Sequence, residues 1–348
     1  MARNMIDANA ALFSHLEGHC SRRGEPIPTA GAVRWVQGDH AAEDWLKHLK
    51  LKLGLRFGRR RSLTWLSYHG ADLVCLVGFE FDPALPQIHP SPTNAGVTVC
   101  VLSELQPLPT ATPAEIRNVI EVGSRGESDY AGHDYTAVET LFPPIRLFAT
   151  LHPLDEEAAS RLFLMLSVDE CRNGESWIDD PLADDLVSLA DLNVSHFPYD
   201  AVCRSVFDWD PRSLFMALYR CLEATYAYES CRKLVASLGL DNDWHELAAA
   251  LDAEVGWHPQ EAASLNLVLQ YALEDDLQAV CDCLGVEHGA DLCVRAGRAI
   301  YRLRNQIVHY NSAQSGGFGI NDADWNELCR RMVGIVFHVF SHAFAVLS

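Results

Sequence analysis

The hydropathy pattern of this chain changes at Asp208-Trp209-Asp210-Pro211, and the break divides what the chain can fold into. Before it, short apolar segments alternate with turn signals. Residues 63–68 and 73–81 read as strands around a His69-Gly70-Ala71-Asp72 turn, and 97–102 reads as a third after a Pro/Asn/Gly-rich loop. Residues 145–151 read as another, with helix left open by their length. The spacing predicts helices over 5–17, 41–53, 113–122 and 155–169. Residues 1–207 are therefore expected to form a mixed α+β domain of unplaced family.

After the break the pattern is helical. Asp210 stands as N-cap before Pro211 in the first turn, and one helix is expected to reach about residue 238, where Gly239 stops it. A short amphipathic helix over 243–255 ends at Gly256, and a long one over 259–284 ends at Gly285. Helices over 290–310 and 322–347 follow, separated by a Gly/Ser-rich loop at 312–319. Residues 208–348 are expected to form an all-α bundle, so the fold class is α+β.

Composition narrows the function. A net charge of −20 argues against a protein that coats nucleic acid by bulk electrostatics, so a nucleic-acid ligand needs a local basic patch. Two exist: Lys47, Lys50, Lys52, Arg56 and Arg59-Arg60-Arg61, and then Arg295, Arg298, Arg302 and Arg304. Either run also reads as a solvated face. Eleven cysteines without framework spacing fit thiols kept reduced and buried, as in a cytoplasmic protein. No apolar run approaches the roughly 18 residues of a membrane span, and the N-terminus has no apolar signal region.

Arg304-Asn305-Gln306-Ile307-Val308-His309-Tyr310 carries the fullest set of groups for chemistry. Arginine meets a phosphate in fork geometry, histidine moves a proton near neutral pH, and asparagine orients either. At about 100° per residue, His309, Asn305, Arg302, Arg298 and Arg295 lie along one face, with Arg304 about 140° from His309. The bland alternative is a capping helix with His309 satisfied in the core. His15 with His19, and His338 with His342, have the i, i+4 spacing of metal ligands but lack further ligands nearby, so no metal or other cofactor is expected. Trp65 and Tyr68 stand near Arg59–Arg61 as base-stacking candidates, or as core residues of a strand.

The R-N-x-x-x-H run in a C-terminal helical half resembles the HEPN superfamily of ribonuclease and nucleotide-binding domains, over about residues 210–348. Arg34 with His40, Arg302 with His309 and Arg331 with His338 satisfy the looser form of the pattern. The resemblance implies a metal-independent endoribonuclease, working as a homodimer in which paired motif helices make one composite site. Arg304, Asn305 and His309 would be catalytic, with Arg302, Glu223 and Tyr310 as auxiliaries; Glu229 is a weaker auxiliary, equally a surface carboxylate beside Arg232 and Lys233. From the two basic patches, and apart from the resemblance, Arg295, Arg298, Arg59, Arg60 and Arg61 are the candidates for holding RNA phosphates. The substrate would be RNA such as tRNA or mRNA, in a toxin or anti-phage effector under a regulatory protein or nucleotide signal. The alternative is a non-catalytic HEPN scaffold that dimerises and binds a nucleotide or protein partner.

Overall fold

A computed structural model describes residues 4–121, 130–174, 176–192, 194, 196–287, 289, 291–308 and 323–344. The chain divides into two compact units, Met1–Ala159 and Ser160–Ser348.

In chain order the first unit holds α1 (Met5–Arg22), α2 (His40–His48), β1 (Lys50–Phe57), β2 (Arg61–Tyr68), β3 (Ala71–Val77) and β4 (Ile88–Ser91). It continues with α3 (Ala95–Leu105), α4 (Pro113–Ile120), α5 (Tyr135–Glu139) and β5 (Ile145–Thr150). The strands make one antiparallel sheet in the order β1-β2-β3-β5-β4. The β1–β2 hairpin pairs Phe57 with Arg61, and Gly58 takes the left-handed conformation (φ 67°) that its tip requires. Leu12, Leu16, Leu46, Leu66, Cys75 and Val77 share one buried core with the residues of α3.

Residues 97–102, expected as a strand, are helical. The β-branched run favours a strand locally, but Asn94 caps the segment by accepting from Val97 N at 3.0 Å. Of the helix's residues only Glu104 is exposed, so tertiary burial overrides propensity. The helix expected over 41–53 ends instead at His48, and the Lys50-Leu51-Lys52-Leu53 alternation opens β1. Helix α4 opens with a capping box, Thr112 N donating to Glu115 Oε2 (2.7 Å) and Glu115 N to Thr112 Oγ1 (3.3 Å).

Helix α6 (Glu156–Asn173) leads into the second unit, which continues with α7 (Asp180–Ala190), α8 (Tyr199–Val206), α9 (Pro211–Glu223) and α10 (Tyr228–Leu238). Then come α11 (Trp244–Val255), α12 (Glu261–Val268), a 3-10 turn at Leu269–Tyr271, α13 (Glu274–Cys283), α14 (Leu292–Val308) and α15 (Trp325–Ala343). Helix α15 packs against α7, α9 and α13, burying Leu328, Met332, Val336, Val339 and Phe340. Each such side chain taken fully out of water contributes about 1.5–3 kcal/mol. Helix α14 lies against α9, α12 and α13.

The division at Ala159/Ser160 precedes the change of pattern at 208 because α7 and α8, which lie before 208, pack on α15 and α9. Asn326 at the start of α15 donates to Trp177 O (2.9 Å) and accepts from Asp179 N (3.0 Å), while Trp177 Nε1 donates to Asp208 O (3.0 Å). The helix expected over 211–238 is two helices, broken between Glu223 and Tyr228. The one expected over 259–284 is broken by the 3-10 turn. The loop at 312–319 lies outside the described residues.

Candidate active site

Helix α9 starts at Asp210, whose carboxylate accepts from Arg212 N (3.1 Å) behind Pro211 in the first turn. Four residues apart near its end, Tyr219 and Glu223 share the face that meets Arg304 of α14. Arg304 Nη1 donates to Asn305 Oδ1 at 2.9 Å, so these neighbours act together although they point apart on a helical wheel. The guanidinium carbon lies 5.7 Å from the Tyr219 ring centroid, and Nη2 stands 3.8 Å from Glu223 Oε1 and 3.9 Å from Glu261 Oε1. Tyr226 OH lies 3.1 Å from Tyr219 OH and steadies that ring.

Arg304 is 20% exposed, and its Nε is buried without a hydrogen-bond partner. Burial pushes the Glu223 carboxyl up, opposed by Arg304 and reinforced by Glu261. Partly exposed ion pairs at such separations contribute about 0–1 kcal/mol. A phosphate in fork geometry gains charge-assisted bonds of about 1.5–3 kcal/mol each, so the carboxylates restrain Arg304 without locking it.

The sequence candidates separate clearly. Arg304, Asn305 and Glu223 come together; His309 and Tyr310 lie outside the described residues. Arg298 and Arg302 are exposed one turn apart on α14 and make no ion pair among the described residues. Arg295 is tied down, donating to Glu287 O (3.1 Å) and Gln278 Oε1 (3.2 Å). Glu229 does pair with Arg232 (3.0 Å) and Lys233 (3.1 Å), but it is buried and also accepts from Tyr271 OH. Of the looser Arg/His matches, Arg34 is a buried partner of Glu17, and Arg331 pairs with Glu327 and Asp276. Trp65 and Tyr68 are structural: Trp65 Nε1 donates to Asp72 Oδ1 (2.8 Å) and Tyr68 stacks on Trp45. Tyr219 and Glu261 carry no motif; the i, i+4 spacing of Tyr219 and Glu223 on an apolar helix was the one available signal for Tyr219, and Glu261 had none.

A second cluster was invisible in the sequence. Asp44 and His48 of α2 meet His69 from the β2–β3 turn, with donor atoms all within 4.8 Å. Asp44 accepts from Tyr68 OH (2.5 Å) and His69 Nε2 (2.8 Å), and the Tyr68 bond first, then the His69 bond, holds its carboxyl down at about 2. Because the folded value is depressed, the stabilisation is full above the unfolded value of about 3.9 and is lost as pH falls through about 2. The melting-temperature difference between the wild type and Asp44→Asn is therefore expected to shrink between pH 4 and pH 2. A difference that stays constant over that range would show that the carboxylate's charge is not what matters.

Comparison with known proteins gives no matching family model, no matching characterised protein and no matching solved structure. Among the described residues no helix is long and apolar enough to cross a membrane.

Proposed function

We propose that this chain is an endoribonuclease of the HEPN type, cleaving RNA without a metal at a composite site built by two copies of its C-terminal helices. What supports the reading is the convergence of Arg304, Asn305 and Glu223, from two helices far apart in sequence, in one half-buried polar cluster. In this reading the ribose 2′-hydroxyl attacks the adjacent phosphorus. The 2′-oxygen–phosphorus bond forms as the phosphorus–5′-oxygen bond breaks; one proton leaves the 2′-hydroxyl and one joins the 5′-oxygen. His309 moves one of these protons, and Arg304, released from Glu223 and Glu261, neutralises the charge on the phosphoryl oxygens. Asn305 fixes the fork of Arg304. Exposed Arg298 and Arg302 hold the flanking phosphates.

The two carboxylates around one arginine suit an enzyme restrained until a signal arrives, as in a toxin or anti-phage effector. The test is the chemistry of the ends. Total RNA and tRNA incubated with the protein in EDTA are expected to yield 2′,3′-cyclic phosphate and 5′-hydroxyl termini. Ends carrying 5′-phosphate, or cleavage only after Mg²⁺ is restored, would rule the mechanism out.

A further inference from the structure

The first unit contains a recess walled in part by Arg59, Arg60 and Arg61, the residues expected from the sequence to hold RNA phosphates, and its shape and lining suit a different ligand. It lies at the tip of the β1–β2 hairpin, has a volume of about 400 Å³ and is walled by His15 and Arg22 of α1, by Arg56, and by Arg59, Arg60 and Arg61. The segment after α3 closes it: Leu108 N donates to Arg59 O (2.7 Å) and His15 Nε2 donates to Pro107 O (2.9 Å). Two of the arginines are aimed by their surroundings. Arg61 Nε donates to Gly78 O (3.2 Å) with its guanidinium 4.8 Å from the Phe79 ring centroid, and Arg60 Nη2 donates to Pro109 O (3.3 Å). Arg22 and Arg59 are exposed at the mouth.

No acidic side chain is among the described residues that line this recess. Five arginines are thus gathered at one recess in a chain whose net charge is −20. Buried His19, one turn from His15 on α1, reports the same field: burial, then Arg23, Arg22, His15 and Arg60 all hold its imidazole toward the neutral form.

We propose that this recess binds a small ligand through a chain of two or more phosphates, of the nucleoside di- or triphosphate class. Arginine forks match phosphate oxygens bidentately, and several cations converging on one concavity suit several phosphates better than one. The volume falls in the range of small-molecule sites, roughly 300–1,000 Å³. Single-stranded RNA is the poorer fit, because strand-binding surfaces present aromatic rings for bases to stack on, and no Trp, Tyr or Phe is among the described residues lining the recess. The phosphate chain, rather than the base, therefore carries recognition. This site is independent of the ribonuclease reading and stands or falls by binding alone.

The experiment is calorimetric titration of the full chain at low salt with tripolyphosphate, ADP, AMP, inorganic phosphate and a short RNA strand. Arg22→Ala, Arg59→Ala and the double variant are compared with Arg172→Ala, which removes an equal charge from the second unit. Tripolyphosphate and ADP are expected to bind one per chain, at least tenfold more tightly than AMP or inorganic phosphate. Each single variant should weaken binding about tenfold and the double about a hundredfold, with Arg172→Ala unchanged. Should Arg22→Ala disturb α1, as judged by its melting curve, Arg59→Ala alone carries the comparison. Failure of tripolyphosphate and ADP to bind, binding undiminished in the double variant, or binding of the RNA strand alone would each overturn the proposal.

Discussion

Arg304→Ala is expected to lower RNA cleavage by about two to three orders of magnitude while leaving the second unit folded. That is the usual loss when a preorganised donor to developing transition-state charge is removed. The guanidinium is held by Asn305 at 2.9 Å and lies against the Tyr219 ring. Its removal leaves Glu223 without its cation, but Glu223 and Glu261 retain access to water, so the cost to stability stays near 1 kcal/mol. Arg304→Lys keeps the charge and loses the fork, and should recover only part of the activity. Arg302→Ala removes an exposed cation and should weaken RNA binding modestly, in a manner that salt also produces. Initial rates under single-turnover conditions at matched oligomeric state separate these effects. Equal losses from Arg302→Ala and Arg304→Ala would mean that no single arginine meets the reacting phosphate.

Gly96→Ala is expected to be among the most destabilising single-methyl additions in the first unit. Here α2 and α3 approach so closely that a Cβ on Gly96 would stand 2.0 Å from Ala42 O and 2.8 Å from its carbonyl carbon. Both are backbone atoms of a helix and cannot rotate aside, so the helices must part. Parting them opens the layer where Ala42, Leu46, Val97 and Val99 are buried. Overpacking of this kind costs about 3 kcal/mol, and at about 2–4 °C per kcal/mol the first unit's melting temperature should fall by roughly 6–12 °C. Gly58→Ala provides the contrast: nothing lies within 4 Å of its Cβ, and only the left-handed backbone opposes it. Its effect should be about 1 kcal/mol. Similar melting curves for the two variants would mean that α2 and α3 move apart freely.

Several helix ends were legible where a side chain or a glycine acts locally, although the Asn94 cap of α3 and the Asp179 cap of α7 were not. Asp210 and Asp243 start helices, and Gly239 and Gly256 end them in left-handed geometry (φ 64° and 62°), where the sequence placed them. Elements set by long-range contact were not legible. Helix α3 looks like a strand because its burial on nearly all sides comes from α1, α2 and α5, not from its own periodicity. The break between α9 and α10 and the 3-10 turn at Leu269–Tyr271 contain no glycine or proline to mark them. Helices α7 and α8 precede residue 208, but their packing partners α15 and α9 lie beyond it, so the change in pattern and the compact division fall at different places. At the candidate site, Arg304 and Asn305 stood out through their motif and Glu223 through its place on a long helix. Glu261 joins them only by tertiary packing, as His69 joins Asp44 and His48.

The most direct measurement is cleavage of total RNA and tRNA in EDTA by the wild-type protein and by His309→Ala, with both preparations matched in oligomeric state. Cleavage by the wild type and at least a hundredfold less by the variant is the expected result, since a missing proton-transfer group costs about 10²–10⁴ in rate. Equal cleavage by both would contradict the site assignment. Absence of cleavage by both would leave two readings, a nuclease still awaiting its signal and a scaffold in which Arg304 is a structural partner of Glu223 and Glu261.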